Sequence, residues 1–188
     1  SGSTGQPKGV MISHRAVCNH MQWMAREFPL DQSDRMLLKY SISFDAAAAE
    51  IFHPLISGAV LVIVPAGRHY DIGYLVQLIH EQQVTAIDVV PTMLKALVDE
   101  EGIKECRSLR RVTSGGEALS AELKDRVYRL LPEVELVNVY GPTEAAITAT
   151  YYRCAPTRSI AIGRSISNTR VYVLDENAEP VPVGVVGE

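Results

Sequence analysis

The stretch Val84-Thr-Ala-Ile-Asp-Val-Val90, followed at once by Pro91, decides the fold. Its near-continuous apolar character predicts a strand that is covered on both faces. Proline is accepted at the first position of a helix, so Pro91 predicts a helix that runs to about residue 101. The next apolar run, residues 109–114, predicts a second strand. A strand, a long helix and another strand together form the repeating unit of a parallel sheet.

The same alternation continues on both sides of this unit. Strands are predicted at residues 10–13, 35–40, 59–64, 84–90, 109–114 and 134–139. Helices are predicted at residues 14–28, 45–56, 71–83, 91–101 and 121–131. We therefore expect an α/β fold in which a mostly parallel sheet forms the middle of three layers, flanked by helices. Further β segments at 146–154 and 170–174 predict the start of a small β-subdomain at the C-terminal end.

Composition narrows the class of protein. The chain has 188 residues, of which 47% are apolar and 21% charged, as in ordinary globular domains. A net charge of −4 gives no basis for binding nucleic acid. Its three cysteines, Cys18, Cys106 and Cys154, are far apart and predict neither a disulfide framework nor a metal site. With no signal peptide and no apolar run long enough for a bilayer, we expect a cytoplasmic protein without a membrane partner.

The first nine residues, Ser-Gly-Ser-Thr-Gly-Gln-Pro-Lys-Gly, predict a phosphate-binding loop. Glycine permits backbone conformations that turn successive N–H groups toward one point, and hydroxyls and Lys8 add donors and charge. The Walker A pattern is absent, so this is a different kind of loop. An ordinary surface turn is the alternative interpretation.

Three polar segments follow predicted strands. They are Ser41-Ile-Ser-Phe-Asp45, Thr113-Ser-Gly-Gly-Glu117 and Asn138-Val-Tyr-Gly-Pro-Thr-Glu144. Ligands of open α/β sheets bind at the carboxyl ends of the strands, where these segments meet. The glycines of the second let the backbone approach a flat ligand, and the tyrosine of the third can stack on a base. Its threonine and glutamate can meet a phosphate and Mg²⁺, so the three predict a nucleotide site.

In order and spacing, the motifs SGSTGQPKG, SFDAAAAE, TSGGEAL and NVYGPTE and the terminal GRSISNTRVYVLDENAEPVPVGVVGE resemble the adenylate-forming (AMP-binding) superfamily. Within it, they are most similar to adenylation domains of nonribosomal peptide synthetases. In that family an amino-acid carboxylate attacks the α-phosphate of ATP and pyrophosphate leaves. The aminoacyl adenylate then passes to the pantetheine thiol of a carrier protein. The resemblance implies ATP, Mg²⁺ and phosphopantetheine as cofactors, and an amino acid, a peptidyl carrier domain and a condensation domain as partners.

The resemblance places residues 1–188 in the N-terminal, larger subdomain of such a domain. We expect the upstream strands and the C-terminal subdomain, with its catalytic lysine, to lie outside the chain. The isolated chain is therefore expected to be poorly stable and inactive in pyrophosphate exchange. Two alternatives stay open, namely an acyl- or aryl-activating relative such as a CoA ligase, and an inactive nucleotide-binding module.

The resemblance also implies roles for individual residues. The residues expected to bind the β- and γ-phosphates and pyrophosphate are Ser3, Thr4, Gly5 and Lys8. Those expected to line the adenine slot are Gly115, Gly116, Glu117 and Asn138, with Tyr140 stacked on the base. Thr143 would contact the α-phosphate and Glu144 would hold Mg²⁺, and these two with Lys8 form the expected catalytic set.

For the amino acid, the resemblance implies that Asp45 pairs with the α-ammonium group and that Phe44 lies near the pocket entrance. A helix N-cap is the alternative role of Asp45. The positions expected to set specificity are Asp45, Ala46, Ala49, Asp88, Val112, Ser114, Val139, Ile147 and Thr148. A buried, unpaired Asp88 would be costly, so we expect it to pair with an arginine- or lysine-like substrate, with glutamine as a polar second choice. Capping of the following helix, or partial solvation, is the alternative for Asp88.

Overall fold

The computed structural model describes residues 9–188. Its α-helices are α1 (His14–Glu27), α2 (Ala46–Ser57), α3 (Ile72–Glu81), α4 (Pro91–Asp99) and α5 (Ala121–Leu130). Its strands are β1 (Arg35–Leu38), β2 (Val60–Ile63), β3 (Ala86–Val89), β4 (Arg111–Gly115), β5 (Glu135–Tyr140), β6 (Thr150–Arg153) and β7 (Arg164–Ser165). Short 3₁₀ turns lie at Glu101–Glu105 and Thr143–Ala145. The predicted phosphate contacts of Ser3, Thr4, Gly5 and Lys8 lie outside the described residues.

The strands form one sheet of seven in the order β2-β1-β3-β4-β5-β6-β7. The first five strands of the chain pair in parallel, whereas β6 and β7 join antiparallel at one edge. The predicted mostly parallel α/β sheet is confirmed. The carboxyl ends of β3, β4 and β5 therefore meet at one edge of the sheet, which is where such folds bind ligands.

Helices cover both faces of the sheet. Apolar side chains of α3, α4 and α5 pack against one face, and Leu94, Val112 and Leu136 are fully buried there. On the other face α1 and α2 enclose a second cluster, which includes Trp23, Phe28 and, from β5, Val137. The predicted three-layer arrangement is thus present, because each strand presents alternate side chains to the two helical layers.

Helix starts follow the capping residues. The Ser13 hydroxyl accepts a hydrogen bond from the N–H of Ala16 at 3.2 Å, and Ser120 caps α5 in the same way through Leu123. The Asp71 carboxylate accepts from the N–H of Tyr74 and begins α3. Residues 10–13, by contrast, form no strand, so that prediction was wrong. This short segment pairs with no described strand, and without a ladder its backbone stays irregular.

The C-terminal end carries less β structure than predicted. The predicted segment 146–154 contains β6 only from Thr150, because Ala146 and Ile147 adopt positive φ values of 59° and 80° that interrupt an extended chain. The predicted segment 170–174 forms a single bridge between Leu174 and Pro180 rather than a strand. Within residues 9–188, no helix has both the length and the apolar character that crossing a bilayer requires.

Candidate active site

A cavity of about 350 Å³ lies at the carboxyl ends of β3, β4 and β5, between the sheet and helices α1 and α2. Its volume is within the range of small-molecule sites. His20, Trp23 and Met24 of α1 and Tyr40, after β1, contribute part of the wall. The remainder comes from the polar segments that follow the strands.

Most of the predicted amino-acid and base contacts line this one cavity. The amino-acid set on its wall is Phe44, Asp45, Ala46, Ala49, Asp88, Val139, Ile147 and Thr148. The base-slot set on its wall is Gly115, Gly116 and Glu117. These segments are far apart in sequence, and the parallel sheet brings them together because its strand ends share one edge.

Two predicted specificity positions do not reach the cavity. Val112 is fully buried in the cluster beneath α3, α4 and α5, and Ser114 shares its face of β4. Their neighbours Thr113 and Gly115 line the cavity instead. Side chains alternate between the two faces of a strand. A specificity position assigned one residue away from the cavity-lining residue therefore lies on the opposite face of the sheet. Thr113 and Gly115 therefore replace Val112 and Ser114 as candidates.

Asp45 occupies the N-cap position of α2 but does not cap it. Its backbone is helical, with φ −61° and ψ −30°, and its side chain makes no capping hydrogen bond. A capping side chain needs an extended backbone at this position, so the alternative role predicted for Asp45 is not seen. Asp45 is instead one of the residues that line the cavity.

Glu117 ties the cavity to the start of α4. Its Oε2 accepts hydrogen bonds from the Thr92 N–H at 3.0 Å and from the Thr92 hydroxyl at 2.5 Å. The N-cap residue of α4 is Val90, which has no side-chain cap. Glu117 thus does the work of a cap, and the alternative that Asp88 caps this helix is wrong.

The NVYGPTE segment divides between the cavity and its surroundings. The Asn138 amide donates a hydrogen bond to the carbonyl of Ala161 at 2.8 Å, and Asn138 does not line the cavity. In this structure its amide is therefore not positioned to contact a base in the cavity. Tyr140 ends β5 with a half-exposed ring, and Thr143 and Glu144 form the following 3₁₀ turn. Gly141 and Ile147, on either side of that turn, line the cavity.

The turn ends in a strained backbone. Ile147 has a φ of 80°, in a region that β-branched residues rarely adopt. Such conformations persist only where the surroundings hold them, and they cluster at ligand sites. Here the strain sits directly on the cavity wall.

A buried ion pair was missed by the sequence reasoning. Lys39 Nζ lies 3.6 Å from Glu50 Oε1, and both side chains are almost completely enclosed. Glu50 Oε2 also accepts from the backbone N–H groups of Lys39 and Tyr40 at 2.9 and 2.8 Å. Burial lowers the pKa of Lys39 to about 8 and raises the pKa of Glu50 to about 7. The sequence does contain a signal for this pair, because a lysine directly follows an apolar strand and a glutamate lies inside an alanine-rich helix.

Asp88 stands on the cavity wall beside this pair. Burial raises the pKa of its carboxyl group, while the charges of Arg111 and Lys39 and the neighbouring Thr113 hydroxyl act in the opposite direction. Arg111, on β4, was also missed as a candidate because an arginine at a strand start resembles a surface residue. Only 9% of it is exposed.

Comparison with known proteins shows the family to which the chain belongs. A family model described as AMP-binding enzyme matches residues 1–188. Tyrocidine synthase 3 of Brevibacillus parabrevis is 46% identical over 191 residues, a match that covers 100% of this chain and 3% of that protein. Phosphinothricin tripeptide synthetase PhsB of Streptomyces viridochromogenes is 48% identical over 189 residues, covering 100% of the chain and 16% of the relative.

Among solved structures, the Vibrio cholerae adenylation domain AlmE in complex with glycyl-adenosine-5'-phosphate superposes with a TM-score of 0.87 and 29% identity. That match covers 98% of this chain and 36% of AlmE. The chain therefore belongs to the AMP-binding enzyme family. Within the family it groups with the adenylation domains of nonribosomal peptide synthetases, which confirms the resemblance drawn from the motifs. The chain spans only a small part of these relatives.

Proposed function

We propose that the complete protein carrying this chain uses ATP to activate an amino acid as an aminoacyl adenylate. The aminoacyl group would then pass to the pantetheine thiol of a carrier domain in nonribosomal peptide synthesis. One observation supports this most strongly: Asp45, which caps no helix, shares a single cavity with Gly115 and Gly116. The same cavity therefore offers an acidic residue that can bind an α-ammonium group and two glycines that let a flat base approach the backbone.

The reaction brings a carboxylate to a triphosphate, so charge must be compensated. In this proposal Asp45 holds the ammonium group and turns the substrate carboxylate toward the nucleotide. The Thr143 hydroxyl donates to the α-phosphate, and Lys8 and the hydroxyls of Ser3 and Thr4 hold the leaving pyrophosphate. Preorganised donors of this kind stabilise developing charge without reorganising during the reaction.

Mg²⁺ is compatible with the residues present. Residues 9–188 contain no cluster of three or more metal-ligating side chains, which argues against a cage made by the protein alone. Magnesium in nucleotide enzymes is typically held by one or two carboxylates together with substrate phosphates. Glu144, exposed beside the cavity, supplies one such carboxylate. Bound there with ATP, the ion would neutralise phosphate charge.

Other parts of the proposal concern the complete protein. The large synthetases among the relatives support a peptidyl carrier domain and a condensation domain as partners, and phosphopantetheine on the carrier. We place the protein in the cytoplasm. For the substrate side chain, Asp88 on the wall supports a cationic group, whereas Arg111 and Lys39 nearby oppose it.

Amino-acid-dependent exchange of pyrophosphate into ATP tests the proposal in the complete protein. Exchange should require an amino acid, and Asp45→Asn should lower kcat/KM about 100-fold, because a buried charge pair is broken. Asp125→Asn, on the solvent side of α5, is the matched control and should behave as the parent. Equal exchange with aryl or fatty acids would favour the acyl-activating alternative, and nucleotide binding without exchange would favour the inactive module.

A further inference from the structure

Four charged side chains lie around one end of the cavity. Lys39, Arg111 and Glu50 are buried, whereas Asp88 is partly exposed on the cavity wall. Of these, only Asp88 lines the cavity itself. The other three lie immediately behind its wall, where they affect the charge that a substrate side chain meets.

The sheet register brings Arg111 to Asp88. In the β3–β4 ladder Ala86 pairs with Arg111 and Asp88 with Thr113, so these residues share one face of the sheet. Arg111 is anchored there, because its Nη1 donates to the carbonyl of Phe28 at 3.4 Å and its guanidinium lies 5.2 Å from the Phe28 ring centre. Phe28 is itself part of the cavity wall.

Lys39 approaches from the next strand along. Its Nζ lies between Glu50 and the ring of Tyr40, at 3.1 Å from the ring centre, and Tyr40 lines the cavity. The Lys39–Glu50 pair sums to zero charge whether a proton rests on the amine or moves to the carboxylate. Its charge count therefore does not depend on which partner holds the proton.

With all four groups ionised, the set sums to zero, because Lys39 and Arg111 each carry one positive charge and Glu50 and Asp88 each carry one negative charge. Asp34, which also acts on Arg111, is already paired with Arg110. A substrate with a cationic side chain would leave one uncompensated positive charge in this enclosed region, and an acidic one would leave a negative charge. Enclosed charges without a partner are costly, so an uncharged side chain is the one that keeps the balance.

We infer that this cavity selects an uncharged amino acid with a hydrogen-bonding side chain, and that Arg111 and Lys39 set this preference through Asp88. Asp88 and Thr113 offer polar groups on the wall for such a side chain. Arg111 and Lys39 are positioning residues here, since they act through the carboxylate and do not line the cavity. The inference rests on the proposed amino-acid activation and differs from the cationic substrate expected from the sequence.

The test is pyrophosphate exchange by the complete protein with four groups of amino acids. Glutamine, asparagine, serine and threonine are uncharged and polar; arginine, lysine and ornithine are cationic; glutamate and aspartate are acidic; leucine, valine and phenylalanine are apolar. An uncharged polar amino acid should exceed every member of the other groups at least about 10-fold in kcat/KM. A cationic or apolar winner overturns the inference and leaves the proposed function intact. Absence of exchange with every amino acid would instead count against the proposed function.

Two variants test the role of the charges. Arg111→Met leaves a net charge of −1, so the ratio of cationic to uncharged substrate in kcat/KM should rise at least about 10-fold, or about 1.4 kcal/mol. Asp88→Asn leaves +1 and should raise the ratio of acidic to uncharged substrate. Arg68→Met is the control, because the half-exposed Arg68 pairs with Asp71 at the start of α3 and does not line the cavity, so its ratios should stay at the parent values.

Selectivity ratios separate this role from a purely structural one, because a loss of folded protein lowers all rates together. If Arg111→Met does not fold, the substrate ratios of the smaller change Asp88→Asn still test the inference. Unchanged ratios in whichever of the two variants folds would overturn the inference.

Discussion

Gly141 lies directly against the backbone of Ile147. A β carbon on Gly141 would come within 2.5 Å of the Ile147 carbonyl oxygen and 2.7 Å of the Ala149 nitrogen. Atoms this close must move, and the backbone offers no flexible end that could yield. A glycine at this point is therefore what allows the chain to fold back after the 3₁₀ turn and present Ile147 and Thr148 to the cavity.

Replacing this glycine should damage the site more than the fold. We expect Gly141→Ala to displace residues 147–149, to lower kcat/KM for the amino acid at least about 10-fold, and to cost about 2 kcal/mol of stability. Gly73→Ala is the control, because its β carbon would meet no atom closer than 3.9 Å and alanine favours the helix. Exchange kinetics and urea unfolding of the complete adenylation domain measure both effects; equal behaviour of the two variants would contradict the prediction.

The alternation along β4 makes a second prediction. Thr113→Val removes a hydroxyl from the cavity wall without changing its shape and should lower kcat/KM for the preferred amino acid about 10-fold. Ser114→Ala should leave substrate preference unchanged. Because the Ser114 hydroxyl is buried without a hydrogen-bond partner, its removal should keep or slightly raise stability. A change in preference with Ser114→Ala and none with Thr113→Val would restore the assignment made from the sequence.

Two buried histidines predict a loss of stability in acid. Burial lowers the pKa of His20 to about 4, and burial together with the charge of Arg111 lowers that of His53 to about 4. The unfolded chain, with a pKa near 6.5, binds these protons first, so stability falls as the pH falls from about 6.5 to about 4. Each histidine should remove about 1.4 kcal/mol per pH unit in this window.

Urea unfolding of the adenylation domain between pH 7 and pH 5 measures this slope. His20→Gln should reduce the slope of stability against pH by the contribution of one histidine, whatever its effect on stability at pH 7. Above pH 7, where His20 and His53 are neutral in the folded and the unfolded chain, His20→Gln and the parent protein should show the same slope. An identical slope between pH 7 and pH 5 in the parent protein and in His20→Gln would rule out the contribution of His20.

Lys124 supports the segment that follows β6. Its Nζ donates to the carbonyls of Pro156 and Arg158 at 3.0 and 2.8 Å, and its side chain is almost fully buried. We expect Lys124→Met to cost about 2–3 kcal/mol, since a charged donor is lost and two carbonyls are left without it. Faster hydrogen exchange at residues 155–163 would locate the effect. Lys95→Met removes an exposed lysine that pairs with Asp99, and it should change neither quantity.

The arrangement of elements could be predicted from local signals. Pro91 and Ser120 mark helix starts by their own chemistry, and the apolar runs between them are strands wherever a neighbouring strand is available. Residues 10–13 show the limit of this reasoning, because a short apolar segment looks the same with or without a pairing partner. Likewise, the expected β segment at 170–174 forms only one bridge.

The electrostatics of the site could not be predicted in this way. Arg111 is enclosed by Phe28, which is 83 residues away in sequence, and Lys39 by Glu50 from a different element. Charged residues near strand ends are ordinarily solvated, so nothing local distinguished these two. Asp88 is conspicuous in the sequence because a carboxylate interrupts an apolar run. The charged groups near it belong to neighbouring strands, which only the folded sheet brings together.

The Lys39–Glu50 pair and the Asp88–Arg111 neighbours have a consequence for engineering. Here each exchange of one charged group would strand its counterpart, so the effects of combined mutations will not be the sum of the separate ones. A library that varies these residues jointly, in combinations that keep their total charge, should therefore retain more activity for a given change of substrate preference than a library of single exchanges.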